Sequence, residues 1–157
     1  MQQEVSVSAE RFSQGRTFAE YLDYLGSDAN LRREGSDGGD RRDFSAMVRA
    51  TYETTRLTEN QAAALRWLAA LPHGPAKLLV IAEDWSSDCR RDVPTLARLA
   101  EVADLELRIF DRDGQRTSNA LPGRSTEPAA NLDLMSQFLN QKNGERFQSI
   151  PIAAVFA

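Results

Sequence analysis

Cysteine and histidine are almost missing from this sequence of 157 residues, which has one of each. A single cysteine excludes an intramolecular disulfide, and Cys89 with His73 is too small a set for a Cys/His zinc site in one chain. A chain without disulfides fits a reducing cytoplasm. Long apolar runs are missing too. None approaches the ~20 residues that cross a bilayer, and no basic stretch followed by an apolar core opens the sequence, so neither a membrane span nor a signal peptide is expected. Positive charge is not in excess: a net charge of −4 gives no electrostatic reason to bind nucleic acid or an anionic membrane. No G-x-x-x-x-G-K-[ST] phosphate loop occurs. Asp111-Arg112-Asp113-Gly114 lacks the third acidic ligand and distal glutamate of a calcium loop and reads as a turn. No metal and no cofactor is expected.

What is present is an ordinary globular composition, 41% hydrophobic and 27% charged, at a length that suits one domain. Thr17-Phe18-Ala19-Glu20 has the form of a capping box. Phe18, Tyr21, Leu22 and Leu25 follow at helical spacing, so a short amphipathic helix is expected to end near Gly26. Residues 27–42 are rich in Gly, Asp and Arg without apolar periodicity and read as a loop. Asp43 is placed to cap a second helix with Phe44, Met47, Val48 and Tyr52 on one face. Thr58-Glu59-Asn60-Gln61 is another capping box, opening a third helix that Leu71-Pro72-His73-Gly74-Pro75 stops. His73 in that turn reads as a solvated loop residue.

Leu78-Leu79-Val80-Ile81 is a continuous apolar run, as in a central strand covered on both faces. Cys89, Val93, Leu96, Ala97 and Ala100 then form one stripe of a helix reaching about Ala103. Leu105 to Ile109 alternates as a strand, which makes a βαβ unit with a right-handed crossover. A long connection follows, marked by Leu121-Pro122-Gly123 and Glu127-Pro128. Asn131 is expected to cap a helix with Leu132, Met135, Phe138 and Leu139 inward. The segment 150–157 reads as a strand beginning at a proline.

The chain's one thiol therefore lies in the first turn of a helix fed by a buried strand. There it feels the helix dipole and unsatisfied backbone N–H groups. Trp85, the unit Ser86-Ser87-Asp88-Cys89 and Pro94 together resemble the active-site segment of the thioredoxin superfamily, in which Trp precedes Cys-x-x-Cys and a proline kinks the helix. The pattern Glu-x-Trp-x-x-Asp at Glu83, Trp85 and Asp88, with a distant Ser149-Ile150-Pro151, is similar to a bacterial branch of that superfamily. The likeness runs from about Leu78 to Phe156. It implies an α/β fold, a thioredoxin-like βαβ core plus an αβ unit over residues 73–157, to which the three N-terminal helices read above add an extension over residues 1–72. It also implies a further hairpin strand and helix after residue 157, which leaves the C-terminal edge incomplete.

The resemblance further implies catalytic positions at Ser86 and Cys89, and a substrate groove from Trp85, Ser87, Asp88, Ile150 and a cis Pro151. The family's attacking cysteine is Ser86 here, and a serine hydroxyl without a base beside it does not attack a disulfide. Cys89 holds the resolving position. It is either a small buried hydrophobe or a reactive monothiol. Ser86 doubles as an N-cap, Trp85 is a contact surface or a lid, and Pro94 sits inside a kinked helix or in the first turn of a later one. Two functional readings result. One is weak or single-thiol disulfide chemistry at Cys89 with a protein thiol or disulfide partner. The other is a non-catalytic binding module that keeps the cis-proline groove. A homodimer through the C-terminal edge strand is compatible with both.

Overall fold

The computed structural model describes residues 5–33, 42–112 and 131–157. Seven helices and five strands occur among these residues. The order begins with α1 (Ala9–Ser13), α2 (Phe18–Leu25), α3 (Asp28–Leu31), α4 (Ser45–Thr54) and α5 (Glu59–Ala69). It continues with β1 (Lys77–Ile81), α6 (Ser87–Ala103), β2 (Glu106–Phe110), α7 (Leu132–Met135), β3 (Asn140–Lys142), β4 (Glu145–Phe147) and β5 (Ile152–Phe156).

Both expected capping boxes form. Thr17 and Glu20 satisfy each other's backbone N–H groups at the start of α2, and Thr58 and Gln61 do so for α5. Asp43 accepts from the Ser45 N–H at 2.8 Å, although Phe44 occupies the cap position of α4. The three expected N-terminal helices are accompanied by two single-turn helices, α1 and α3, that apolar periodicity did not show. Part of the expected loop is therefore helical: Ser27 caps α3, and Asn30 within it is fully buried. The Gly-rich stretch 35–40 and the connection around Leu121 to Pro128 lie outside the described residues, as do Asp113 and Gly114 of the expected turn.

The sheet has the order β2-β1-β5, with β2 parallel and β5 antiparallel to the central β1. Both faces of β1 are covered. Leu78 and Val80 pack with Tyr21, Leu22 and Leu25 of α2, Val48 of α4 and Cys89, Val93 and Ala100 of α6. Leu79 and Ile81 pack on the other face with Phe12 of α1, Phe110 and Leu134 and Met135 of α7. Among the described residues, no strand pairs with the outer edge of β5. The outer edge of β2 meets Arg16, which exchanges two backbone hydrogen bonds with Ile109, each 2.8 Å.

The expected helix after Asn131 is only one turn. It ends at Met135, which leaves Leu132 40% exposed and the later residues in turns. A β3–β4 hairpin, absent from the sequence reading, follows it. Asn143 and Gly144 at its tip both have positive φ, 52° and 81°, as a tight primed hairpin turn requires.

Candidate functional site

β1 ends at Ile81, and residues 82–86 lead into α6. Ser86 has extended backbone angles and caps that helix, its hydroxyl accepting from the Cys89 N–H at 3.4 Å. The helix then runs unbroken from Ser87 to Ala103 with Pro94 inside it, so no loop extends through Arg91. Lacking an N–H, Pro94 leaves the Arg90 carbonyl without its helical donor.

Cys89 is a free thiol with 0% exposure. Burial pushes its pKa up to about 11, and contacts from the Ser86 hydroxyl and the Glu83 backbone pull it down by less. A thiol that remains protonated at neutral pH and has no path to solvent is a poor nucleophile. Tyr21 is 2% exposed and belongs to the same packed cluster, so α2 forms part of the wall around the sulfur.

The other expected site residues divide. Ser87 and Asp88 are exposed, and Asp88 has an ion pair with Arg91 at 3.4 Å whose partners are both solvated. Such a pair contributes little. Trp85 is half-buried. The guanidinium of Arg112 stands 5.3 Å from its ring centre, and the buried indole N–H has no hydrogen-bond partner among the described residues. Ile150 packs against the apolar clusters on both faces of the sheet, so it reaches the layer that holds Cys89. The Ile150–Pro151 bond is cis. Because Ile152 pairs with Ile81, Pro151 flanks the end of β1 from which Trp85 and Ser86 emerge. The sulfur and the imino ring thus lie toward the same end of the sheet.

Behind this junction lies a set of buried polar groups that the sequence reading missed. Glu83, Asp84, Asn30, Arg112 and Gln148 are each at most 4% exposed. Arg33 donates to Glu83 at 2.5 Å, and the second oxygen of Glu83 accepts from the Arg112 N–H at 3.1 Å. Asn30 donates to Asp84 at 2.8 Å, while Arg112 donates to the Gln148 carbonyl at 3.0 Å. Arg112 therefore ties the end of β2 to the junction and to the segment leading into Pro151. Asp111 takes Arg16 at 3.1 Å and Arg33 at 3.7 Å. Burial alone would lower the pKa of Arg33, but the charges of Glu83 and Asp111 raise it on balance. Burial, reinforced by Asp111, pushes Tyr24 up to about 12. The signal for this set was two acids, Glu83 and Asp84, placed directly after the apolar run that ends at Ala82, and the charged pair Asp111-Arg112 placed directly after β2.

A central strand that leads through a tryptophan and a helix-capping serine into a helix, within a small mixed sheet, is consistent with a thioredoxin-like α/β fold. The family described as Thioredoxin has a model that matches residues 40–156, and the chain belongs to that family. The match begins well before Leu78 and takes in α4 and α5. No curated protein and no solved structure matches the chain.

Proposed function

We propose that this chain is a thioredoxin-family binding module without disulfide turnover, acting in a reducing cytoplasm. Trp85, Ser87, Asp88, Ile150 and Pro151 form the groove in this reading, and its ligand is an extended segment of a protein partner. The observation that carries the reading is the burial of Cys89, 0% exposed with its pKa pushed up to about 11. Turnover of a disulfide needs an exposed thiolate to attack and a second thiol to release the mixed disulfide. Ser86 supplies a hydroxyl in place of the first, and the sequence has no other cysteine.

The test is insulin reduction with dithiothreitol as donor. The protein is expected to add nothing to the rate of the donor alone. Ser86→Cys is expected to form an internal disulfide with Cys89 under mild oxidation and to gain turnover. A wild-type rate near that of a two-cysteine thioredoxin would overturn the reading. A Ser86→Cys variant that never forms the bond would count against aligning Ser86 with the attacking position.

A further inference from the structure

The family match starts at residue 40, yet Tyr21, Leu22 and Leu25 of the buried cluster that contains Cys89 lie before it. Residues 5–33 run around the β2 edge of the sheet. Phe12 of α1 is buried on one face, and Tyr21, Leu22 and Leu25 of α2 are buried on the other, in the cluster that contains Cys89. Between them, Arg16 crosses the edge through its paired hydrogen bonds with Ile109. The crossing is close: a Cβ on Gly15 would stand 2.6 Å from the Phe110 ring and 2.8 Å from Arg108 Cβ.

Both ends of this segment are fastened by polar groups. Before the crossing, Ser6 donates to Gln137 at 2.8 Å, and Arg11 pairs with Asp133 at 2.8 Å. After it, Arg33 and Asn30 reach Glu83 and Asp84 at the junction itself. Within β1, by contrast, Leu79, Val80 and Ile81 are all fully buried and paired to strands on both sides. The segment is held by one two-bond bridge, its polar anchors and the burial of Phe12, Tyr21, Leu22 and Leu25. With so few backbone bonds to the sheet, it opens at lower cost than a central strand held by two full ladders. Undocking returns the charges of Arg33 and Glu83 to water, and their recovered solvation offsets the loss of the pair.

We propose that residues 5–33 are a strap around the β2 edge that shields Cys89, and that its undocking from an intact sheet is the step that opens the thiol to solution. This goes beyond the binding-module reading and does not depend on it: insulin reduction reports turnover, whereas opening is read from access to the sulfur.

The experiment is native-state alkylation of Cys89 with iodoacetamide at fixed pH in low concentrations of urea, alongside hydrogen exchange. Strap undocking exposes less surface than unfolding. The logarithm of the labelling rate is therefore expected to rise with urea much less steeply than global unfolding does. The Arg16 and Ile109 amides are expected to exchange faster than those of Leu79 and Val80. Gly15→Ala and Arg33→Met should each speed labelling by the full factor of their loss of global stability, whereas Gly74→Ala, outside the segment, should lower global stability and leave labelling at the wild-type rate. Labelling that follows the full unfolding slope in the wild type would overturn the proposal without any variant. Exchange of Arg16 and Ile109 at the rate of β1 would do the same.

Discussion

The Arg33 guanidinium lies 2.5 Å from the Glu83 carboxylate, with 9% of one side chain and none of the other exposed. Arg33 precedes the region matched by the family, and Glu83 stands within it, at the mouth of the thiol helix. The cation that the N-terminal segment brings to this buried acid offsets part of the cost of desolvating it. Removing one partner of a buried pair leaves an uncompensated charge, which costs about 3–5 kcal/mol. Arg33→Met is therefore expected to lower the urea midpoint strongly. Glu83→Gln in the same chain should recover much of that loss, because the amide oxygen still accepts from the Arg112 N–H. A loss below about 1 kcal/mol in Arg33→Met would show that water or another cation replaces the guanidinium.

Cys89 makes stability depend on pH in the alkaline range. Its ordinary pKa is 9.0, and burial holds the folded value near about 11. Above pH 9 the unfolded chain releases the thiol proton while the folded protein keeps it, so the unfolded state binds fewer protons and stability falls as pH rises. The contribution is fully present below pH 9 and is lost on passing pH 11, a change on the order of 2–3 kcal/mol. Tyr21 and Tyr24 are shifted in the same direction and add to the slope. Comparison with Cys89→Ala isolates the thiol. The variant should unfold with a shallower pH dependence between 9 and 11, measured by urea titration at each pH. Equal slopes would place the sulfur in contact with water.

Much of the architecture was legible because it rests on local chemistry. Thr17 with Glu20 and Thr58 with Gln61 begin helices through bonds within four residues, and the run Leu78 to Ile81 announces a strand buried on both faces. Ser86 was readable as a cap for the same reason. What could not be read depends on partners distant in sequence. α3 has no apolar stripe and is fixed by Asn30 reaching Asp84, 54 positions away. Glu83 and Arg112 look like surface residues until Arg33, Trp85 and Gln148 are placed around them. The β3–β4 hairpin is a different case: Asn143-Gly144 carries its turn chemistry openly, but the strands it joins are three residues each and too exposed to show apolar alternation.

Gly74 is a second position where a side chain has no room. A Cβ there would lie 2.4 Å from the Leu68 carbonyl oxygen and within 2.9 Å of those of Leu71 and Ala69. These are backbone atoms at the end of α5, so relief requires the helix terminus to move. Gly74→Ala is expected to cost about 1–3 kcal/mol, as overpacking does. The loss should appear in thermal unfolding, with local fraying of Leu68 to Leu71 in hydrogen exchange. An unchanged melting temperature would mean that the turn shifts freely.

Ser86 separates two roles that a single substitution confuses. Its hydroxyl accepts from the Cys89 N–H, and the same group touches the sulfur and lowers its pKa slightly against the larger effect of burial. The capping bond is long at 3.4 Å, beyond the usual 2.7–3.2 Å range, so its loss belongs at the lower end of the cap scale. Ser86→Ala is expected to cost about 0.5–1 kcal/mol, whereas Ser86→Gly, which frees backbone N–H groups for water, should cost only a few tenths. Both substitutions remove the contact with sulfur equally, so both should raise the Cys89 pKa further and slow its alkylation in the opened state. A larger stability loss in the glycine variant than in the alanine variant would assign Ser86 to packing and remove its role as the cap of α6.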